Sequence, residues 1–359
     1  MHVTKKYCNF APEIKNQHLK KIIMKKIKIK ALGFEVEFKG NGCVNWDSNE
    51  QKFMLLANGL IGGKIDDNVK FAKKSFVKTE DGIGFLYKVS NDAIRHNMWE
   101  KEMPFFNENV AQIPYVYYNM IGRPCMLERG YMFASKNASI TSKKKSPITI
   151  TDAVEVSSTP RKNVSIELHS KSGAKEGSET SLFSNENVGN ITYKSHGYID
   201  LTELQFISMD LSYDRRAVSD DIPENFNIYL SSLSRNLPFF KETPSYYYMK
   251  NSYLEDEWAE KGLLLSHDSV DWMVKDVLTR VLNINITRKD AFLKTSLVKI
   301  LYKDDNGCKV EDTITLGNIG EYYFDVDTKY IEADEEKIIK NRKKYDENLE
   351  SAKTKKSKK

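Results

Sequence analysis

The side chains able to do chemistry are scattered along this sequence rather than gathered. Six histidines stand at His2, His18, His96, His169, His196 and His267, and no two are four residues apart. None sits beside a Cys or carboxylate cluster at ligand spacing, so the pattern offers no metal site. The cysteines Cys8, Cys43, Cys125 and Cys308 lack the paired spacing of zinc or redox motifs. They read as reduced, buried thiols of a cytoplasmic protein. A glycine-rich phosphate loop ending in Lys-Ser/Thr, a GxGxxG and a Gly-x-Ser-x-Gly elbow are all missing. Asp200, Asp210 and Asp214 are tempting carboxylates, but acids near strand ends more often cap helices or turns. The best aromatic–basic cluster is Arg129-Gly130-Tyr131-Met132-Phe133. It partly matches the Arg-Gly-Tyr/Phe-x-Phe core of an RNA-recognition-motif strand, with Met132 where Gly or Ala is expected. Two aromatics on one strand face also occur through packing alone.

Charge narrows the choice of partner. Residues 1–30 hold nine lysines and one acid, and the terminal SAKTKKSKK run holds five lysines and no acid. With the whole chain at +5, residues 31–350 are mildly acidic, most of all 200–260, with twelve acids against five bases. Basic arms on an acidic body either attract a polyanion, nucleic acid first among them, or keep a large protein soluble. Any phosphate-binding groove in the body must therefore come from local basic loops. The 17 Phe, 19 Tyr and 4 Trp exclude wholesale disorder. No stretch nears the roughly 18 consecutive apolar residues of a membrane span, and residues 1–30 have no leader-like apolar run.

The elements that must position these residues read as α+β without helix–strand alternation. Lys26 to Ala31 alternate with period two, and so do Phe34, Val36 and Phe38, the apolar set moving from odd to even numbers as if Leu32-Gly33 formed a bulge. The lysines on this strand either touch phosphate or are solvated. Residues 40–120 read as a long irregular insertion holding one short helix opened by Ser90 or Asn91. Residues 135–192 are rich in Ser, Thr, Lys, Asn and Gly around short strands, a texture that fits a projecting hairpin or arm. Residues 269–283 predict a helix buried through Val270, Met273, Val274, Val277, Leu278, Val281 and Leu282, capped by Ser266 or Ser269. A hairpin follows, Leu297 to Tyr302, Asp304-Asp305-Asn306-Gly307, then a strand through Ile314 and Leu316. From about Glu332 the chain reads as a charged helix.

Several of these stretches together resemble the backbone subunit of type I CRISPR surveillance complexes, the Cas-seven family, most of all its variant subtype I-F form. They are 27-IKIKALG-33, 42-GCVNW-46, 90-SNDAIRH-96, 121-IGRPCMLERGYMF-133, 146-SPITITDAVE-155, 180-TSLFSNENVGNITYKSHGYIDLTELQFISMD-210 and 262-GLLLSHDSVDWMVKDVL-278. The resemblance implies a modified RNA-recognition-motif (ferredoxin-like) palm over 24–330. Fingers are expected at about 40–120, a β-hairpin thumb at about 157–190, a basic arm at 1–23 and a charged helical tail at 331–359. It implies a non-catalytic, cofactor-free subunit that polymerises along the spacer of a guide RNA and presents it to target DNA. Its other partners would be further copies of itself and Cas-five-type and Cas-six-type subunits, with no membrane involved.

Holding arbitrary spacers requires gripping phosphate and sugar while base edges stay free, because pairing supplies specificity. Lys and hydroxyl side chains on loops suit that task. The residues expected at RNA are Arg95, Arg123, Arg129, Lys143, Lys144, Lys145, Ser170, Lys171, Ser172, Lys175, Ser181 and Phe183. Phe183 is either a wedge beside a displaced base or a thumb-base core residue. Arg95 and His96 either reach phosphate or pair with an acid inside the palm. Two alternatives stand beside this reading. One is a metal-dependent ribonuclease of the type III kind, with Asp47 as its only candidate residue. The other is an RNA-independent structural filament.

Overall fold

The computed structural model describes residues 24–62, 69–100, 123–134, 141–170, 182–208, 247–249, 259–288, 291–327 and 331–332, with 336, 340, 343 and 347 as single positions. The first strands are β1 (Lys25–Ile29), β2 (Ala31–Asn41), β3 (Lys74–Thr79), β4 (Gly82–Val89), β5 (Tyr131–Ala134) and β6 (Thr141–Lys144). Then come β7 (Ile148–Ile150), β8 (Ala153–Glu155), β9 (Ile166–Ser170), β10 (Leu182–Glu186), β11 (Asn190–Asp200) and β12 (Phe206–Ser208). The last are β13 (Tyr247–Met249), β14 (Ala259–Leu264), β15 (Asn285–Arg288), β16 (Ala291–Lys303), β17 (Lys309–Ile314), β18 (Tyr322–Val326) and β19 (Ile331–Glu332). Among the described residues five α-helices join them: α1 (Ser48–Ala57), α2 (Asn91–Trp99), α3 (Pro124–Arg129), α4 (Leu201–Gln205) and α5 (His267–Leu282).

A nine-stranded sheet in the order β15-β16-β2-β11-β8-β4-β3 forms the body, with β17 also on β16 and β7 also on β11. Its pairings are antiparallel throughout. Period two explains its inner face: Leu32, Phe34, Val36 and Phe38 of β2 are all fully buried, as are Leu293, Val298 and Ile300 of β16. Helix α5 packs on β16 and β18, and its Val270, Met273, Val274, Val277, Leu278 and Val281 join the same core at 3.6-residue spacing. Each such side chain contributes about 1.5–3 kcal/mol through burial. The Ser266 hydroxyl caps α5 by accepting from the Ser269 amide. Outside this sheet lie the parallel pair β1–β18, the hairpins β5–β6 and β9–β10, and the sheet β12-β14-β13-β19.

Five expectations change. The parity switch at the start of the body is not a bulge at Leu32-Gly33. The chain bends at Lys30, and β1 leaves the main sheet to pair with β18. The described part of 40–120 is regular, because β3 and β4 extend the main sheet through β8. Cys308 is exposed while Cys43 and Cys125 are buried. It follows the Asn306-Gly307 turn, where Gly307 takes φ 77°, and its amide donates to Asp304. Finally, Glu332 lies in a strand and Leu316 beyond β17 is 58% exposed. The tail positions 336, 340, 343 and 347 are helical and exposed. Among the described residues no helix is long and apolar enough to cross a membrane.

Candidate nucleic-acid interface

A basic platform is built from α3 and the β5–β6 hairpin. Pro124 at the first turn pre-sets the α3 backbone, and Gly130 ends it with φ 75°. A Cβ on Gly130 would lie 2.6 Å from the Ser146 nitrogen and 2.7 Å from the Lys144 oxygen, so the exit of α3 presses against the exit of β6. Arg95 of α2 fastens this crossing. Its Nη1 donates to the Ile148 carbonyl at 2.7 Å. Its Nη2 donates to the Arg129 carbonyl at 3.0 Å and the Ser146 hydroxyl at 3.2 Å. The guanidinium also lies 5.3 Å from the Trp99 ring. Burial, and then the Arg129 charge, lower its pKa. Arg95 is half-buried, and within the protein it forms no ion pair at hydrogen-bond distance among the described residues but bonds two carbonyls and a hydroxyl. These bonds satisfy backbone carbonyls that would be costly to leave unpaired inside the body.

The lysine triplet divides by strand period. Lys144 is 4% exposed and donates to the carbonyls of Glu203 at 2.8 Å and Phe206 at 3.2 Å, tying β6 to the middle and the C-cap of α4. Lys143 and Lys145, one residue either side, are exposed, as is Arg123; Arg129 is half-buried. Thus Lys144 is withdrawn from the surface, because successive side chains of a strand face opposite sides. Met132, directly opposite Lys143 in the β5–β6 register, is 70% exposed.

Under the platform lies Glu128, fully buried. Its Oε2 accepts from Trp99 Nε1 at 3.0 Å and stands 3.3 Å from Arg280 Nε. Burial first, and then the Asp276 charge, push this carboxyl well above the ordinary range. Its contacts with Trp99 of α2 and Arg280 of α5 tie α3, and with it the platform, to both helices.

The second feature is the β9–β10 hairpin. Ser170 pairs with Leu182 and Phe183 with His169, and among the described residues the two strands pair only with each other. Lys171, Ser172, Lys175 and Ser181 lie outside the described residues. The hairpin returns to the body at Glu186, which is buried. No local pattern marks Glu186 or Glu128 in the sequence, because their partners Lys74, Tyr87, Trp99 and Arg280 are far away along the chain.

Other candidates are absorbed locally. The β1 lysines meet aspartates: Lys25 with Asp312 at 2.7 Å, Lys26 with Asp325 at 2.8 Å and Lys28 with Asp327 at 3.6 Å. Asp200 caps α4 by accepting from the Glu203 amide at 2.9 Å, while Asp210 and Asp214 lie outside the described residues. His96 pairs with Glu100 at 3.2 Å. Asp47 precedes α1 without capping it and stands 3.8 Å from Lys73. Among the described residues no three His, Cys, Asp or Glu side chains gather as a metal site would require.

Fold and surface together define an α+β body with two hairpins set outside its central sheet, one of them carrying exposed cations. Residues 28–313 match the family model described as Type I-Fv CRISPR-associated protein Cas7fv-like, and the chain belongs to that family. None of the curated proteins matches the chain. Among solved structures, a chain of a "CRISPR RNA-guided surveillance complex" is 10% identical with a TM-score of 0.35, covering 81% of this chain and 80% of that one. A "CRISPR RNA-guided surveillance complex, pre-nicking" is 10% identical with a TM-score of 0.36, covering 77% of each. A "Type IV-B CRISPR Complex" is 8% identical with a TM-score of 0.29, covering 65% of this chain and 90% of that one.

Proposed function

We propose that this chain is a non-catalytic guide-RNA-binding backbone subunit of a CRISPR surveillance complex. Copies line up along the spacer and hold it for pairing with target DNA, beside Cas-five-type and Cas-six-type subunits. The main sheet with α5 serves as a palm of the RNA-recognition-motif kind within 24–330. Residues 40–120 supply fingers, 157–190 the thumb, and 1–23 and 331–359 the basic arm and charged tail. The observation that carries the reading is the β9–β10 hairpin, paired only with itself among the described residues and joined through a Ser-, Gly- and Lys-rich connection. A lever of that composition grips ribose and phosphate without reading bases. Arg123, Arg129, Lys143 and Lys145 would hold the same strand at the platform. Ser170, Lys171, Ser172, Lys175, Ser181 and Phe183 would act from the thumb.

The test is purification at low salt followed by the ultraviolet absorbance ratio and sizing of extracted nucleic acid. Guide RNA of uniform length, released as salt rises, is the expected result. Recovery of RNA-free monomers only would sink the proposal. So would helical assemblies that form without nucleic acid and survive nuclease.

A further inference from the structure

Both roots of the β9–β10 hairpin meet on one tyrosine. On the outgoing side, Arg161 bridges Phe85 of β4, its amide donating to the Phe85 carbonyl at 2.8 Å and its carbonyl accepting from the Phe85 amide at 2.9 Å. The Arg161 guanidinium pairs with Glu155 at 2.8 Å and lies 5.1 Å from the Tyr87 ring. On the returning side, Glu186 Oε1 accepts from the Tyr87 hydroxyl at 2.6 Å. Glu186 Oε2 accepts from Lys74 Nζ at 2.5 Å and from the Ala72 amide at 2.9 Å. The Glu186 and Lys74 side chains are both 0% exposed.

Lys74 is itself boxed in. Its Nζ donates to the Ala72 carbonyl at 2.9 Å and lies between 5.2 and 5.6 Å from the Phe71, Phe85 and Tyr87 rings. Burial lowers its pKa against the pull of Glu186, and burial with Glu186 raises that of Tyr87. Apolar residues of the same volume would hold such a core at least as firmly, since desolvating an ion pair is costly. What the ion pair adds is direction. Three hydrogen bonds fix the carboxylate in one orientation, where apolar contacts would tolerate several.

We propose that Glu186 is a positioning residue that sets the angle at which the β9–β10 hairpin leaves the body, acting through Tyr87 and Lys74. It thereby selects the stretch of bound strand that the hairpin reaches. This second consequence rests on the thumb reading; the first does not.

The test labels exposed Cys308 and an introduced Ala174→Cys with nitroxides, with Cys8→Ser, and measures their distance distribution by pulsed electron spin resonance. Glu186→Gln is expected to broaden or shift the distribution while the protein still melts cooperatively. Guide retention falls about tenfold if the freed hairpin holds the binding direction a tenth of the time. A folded Glu186→Gln protein with the wild-type distribution overturns the inference, even if its melting temperature has dropped. Should Glu186→Gln fail to fold, Tyr87→Phe decides. It removes a single hydroxyl, so a broadened distribution supports the inference and an unchanged one overturns it. Wild-type protein without RNA would defeat the backbone reading and leave the distance measurement to decide the anchor.

Discussion

Strands β1 and β6 are both lysine-rich and look alike in the sequence, yet the fold uses their lysines in opposite ways. In β1, Lys25, Lys26 and Lys28 lean on Asp312, Asp325 and Asp327, so the strand's positive charge is neutralised by its own neighbours. At the end of β6 the middle lysine of the 143–145 triplet, Lys144, goes inward to backbone carbonyls, while Lys143 and Lys145 on either side stay at the surface. Alternation tells which lysines share a face. What that face meets is decided by strands far away in the sequence, here β17 and β18 for β1 and the α4 segment for β6.

The largest effect tests the inward lysine. Lys144→Ala leaves the carbonyls of Glu203 and Phe206 short of a donor in a buried site, and should cost about 2–4 kcal/mol. Chemical denaturation checks it, and a midpoint equal to that of Lys145→Ala would erase the contrast within β6. Next comes the acid beneath the platform. The folded-state pKa of Glu128 is raised, so the stability it contributes is fully present below the unfolded value near 4.3. That contribution is lost as pH rises through the folded value. Glu128→Gln mimics the neutral form and should flatten that part of the stability–pH curve while matching or exceeding the wild type at neutral pH. Parallel slopes for the two proteins would show that Glu128 is ionised in the native state.

How much of this was legible follows from how local each signal is. The helix α5 and the hairpin turning at Asn306-Gly307 carry their information within one element, and both emerge, the second hairpin strand ending at Ile314 rather than Leu316. The parity switch near Lys30 was visible, but a bulge and a change of sheet leave the same trace in one strand; only the partner β18 distinguishes them. Residues 40–120 looked irregular because α1 is apolar on both sides. Leu55 is buried while Phe53 is 69% and Leu56 43% exposed, which blurs the helical period. Of the cations expected at RNA, Arg123, Lys143 and Lys145 are exposed and Arg129 is half-buried. Arg95 and Lys144 could not be separated from them, since their acceptors are carbonyl oxygens that no side-chain pattern reports. Glu128 and Glu186 were invisible for a related reason: each is a single acid satisfied only by the assembled fold.

Smaller effects complete the contrast. Arg123→Ala and Lys145→Ala should leave stability within about 0.5 kcal/mol. Each should lower the slope of log affinity for single-stranded RNA against log salt by about 0.7, the share of one phosphate contact. Filter binding across a salt series reads this directly. A slope unchanged in the double variant would remove the platform from the nucleic-acid surface and leave the hairpin alone.

The smallest effect is expected in β1. Lys25 is half exposed and Asp312 about a quarter. Hydrogen bonding to Asp312, and then to Tyr302, shifts Lys25 up; against the opposing effect of burial, hydrogen bonds from Lys25 and Tyr302 shift Asp312 down. Solvent screening nevertheless limits such a pair to about 0–1 kcal/mol. Lys25→Ala should therefore move the unfolding midpoint slightly and the RNA salt slope not at all, because a lysine already neutralised by an aspartate releases few counterions from a phosphate chain. If Lys25→Ala instead lowered the slope as far as Lys145→Ala, the aspartates would have to give way to RNA on binding. The two lysine strands would then form one continuous surface, and the distinction drawn between them would fail.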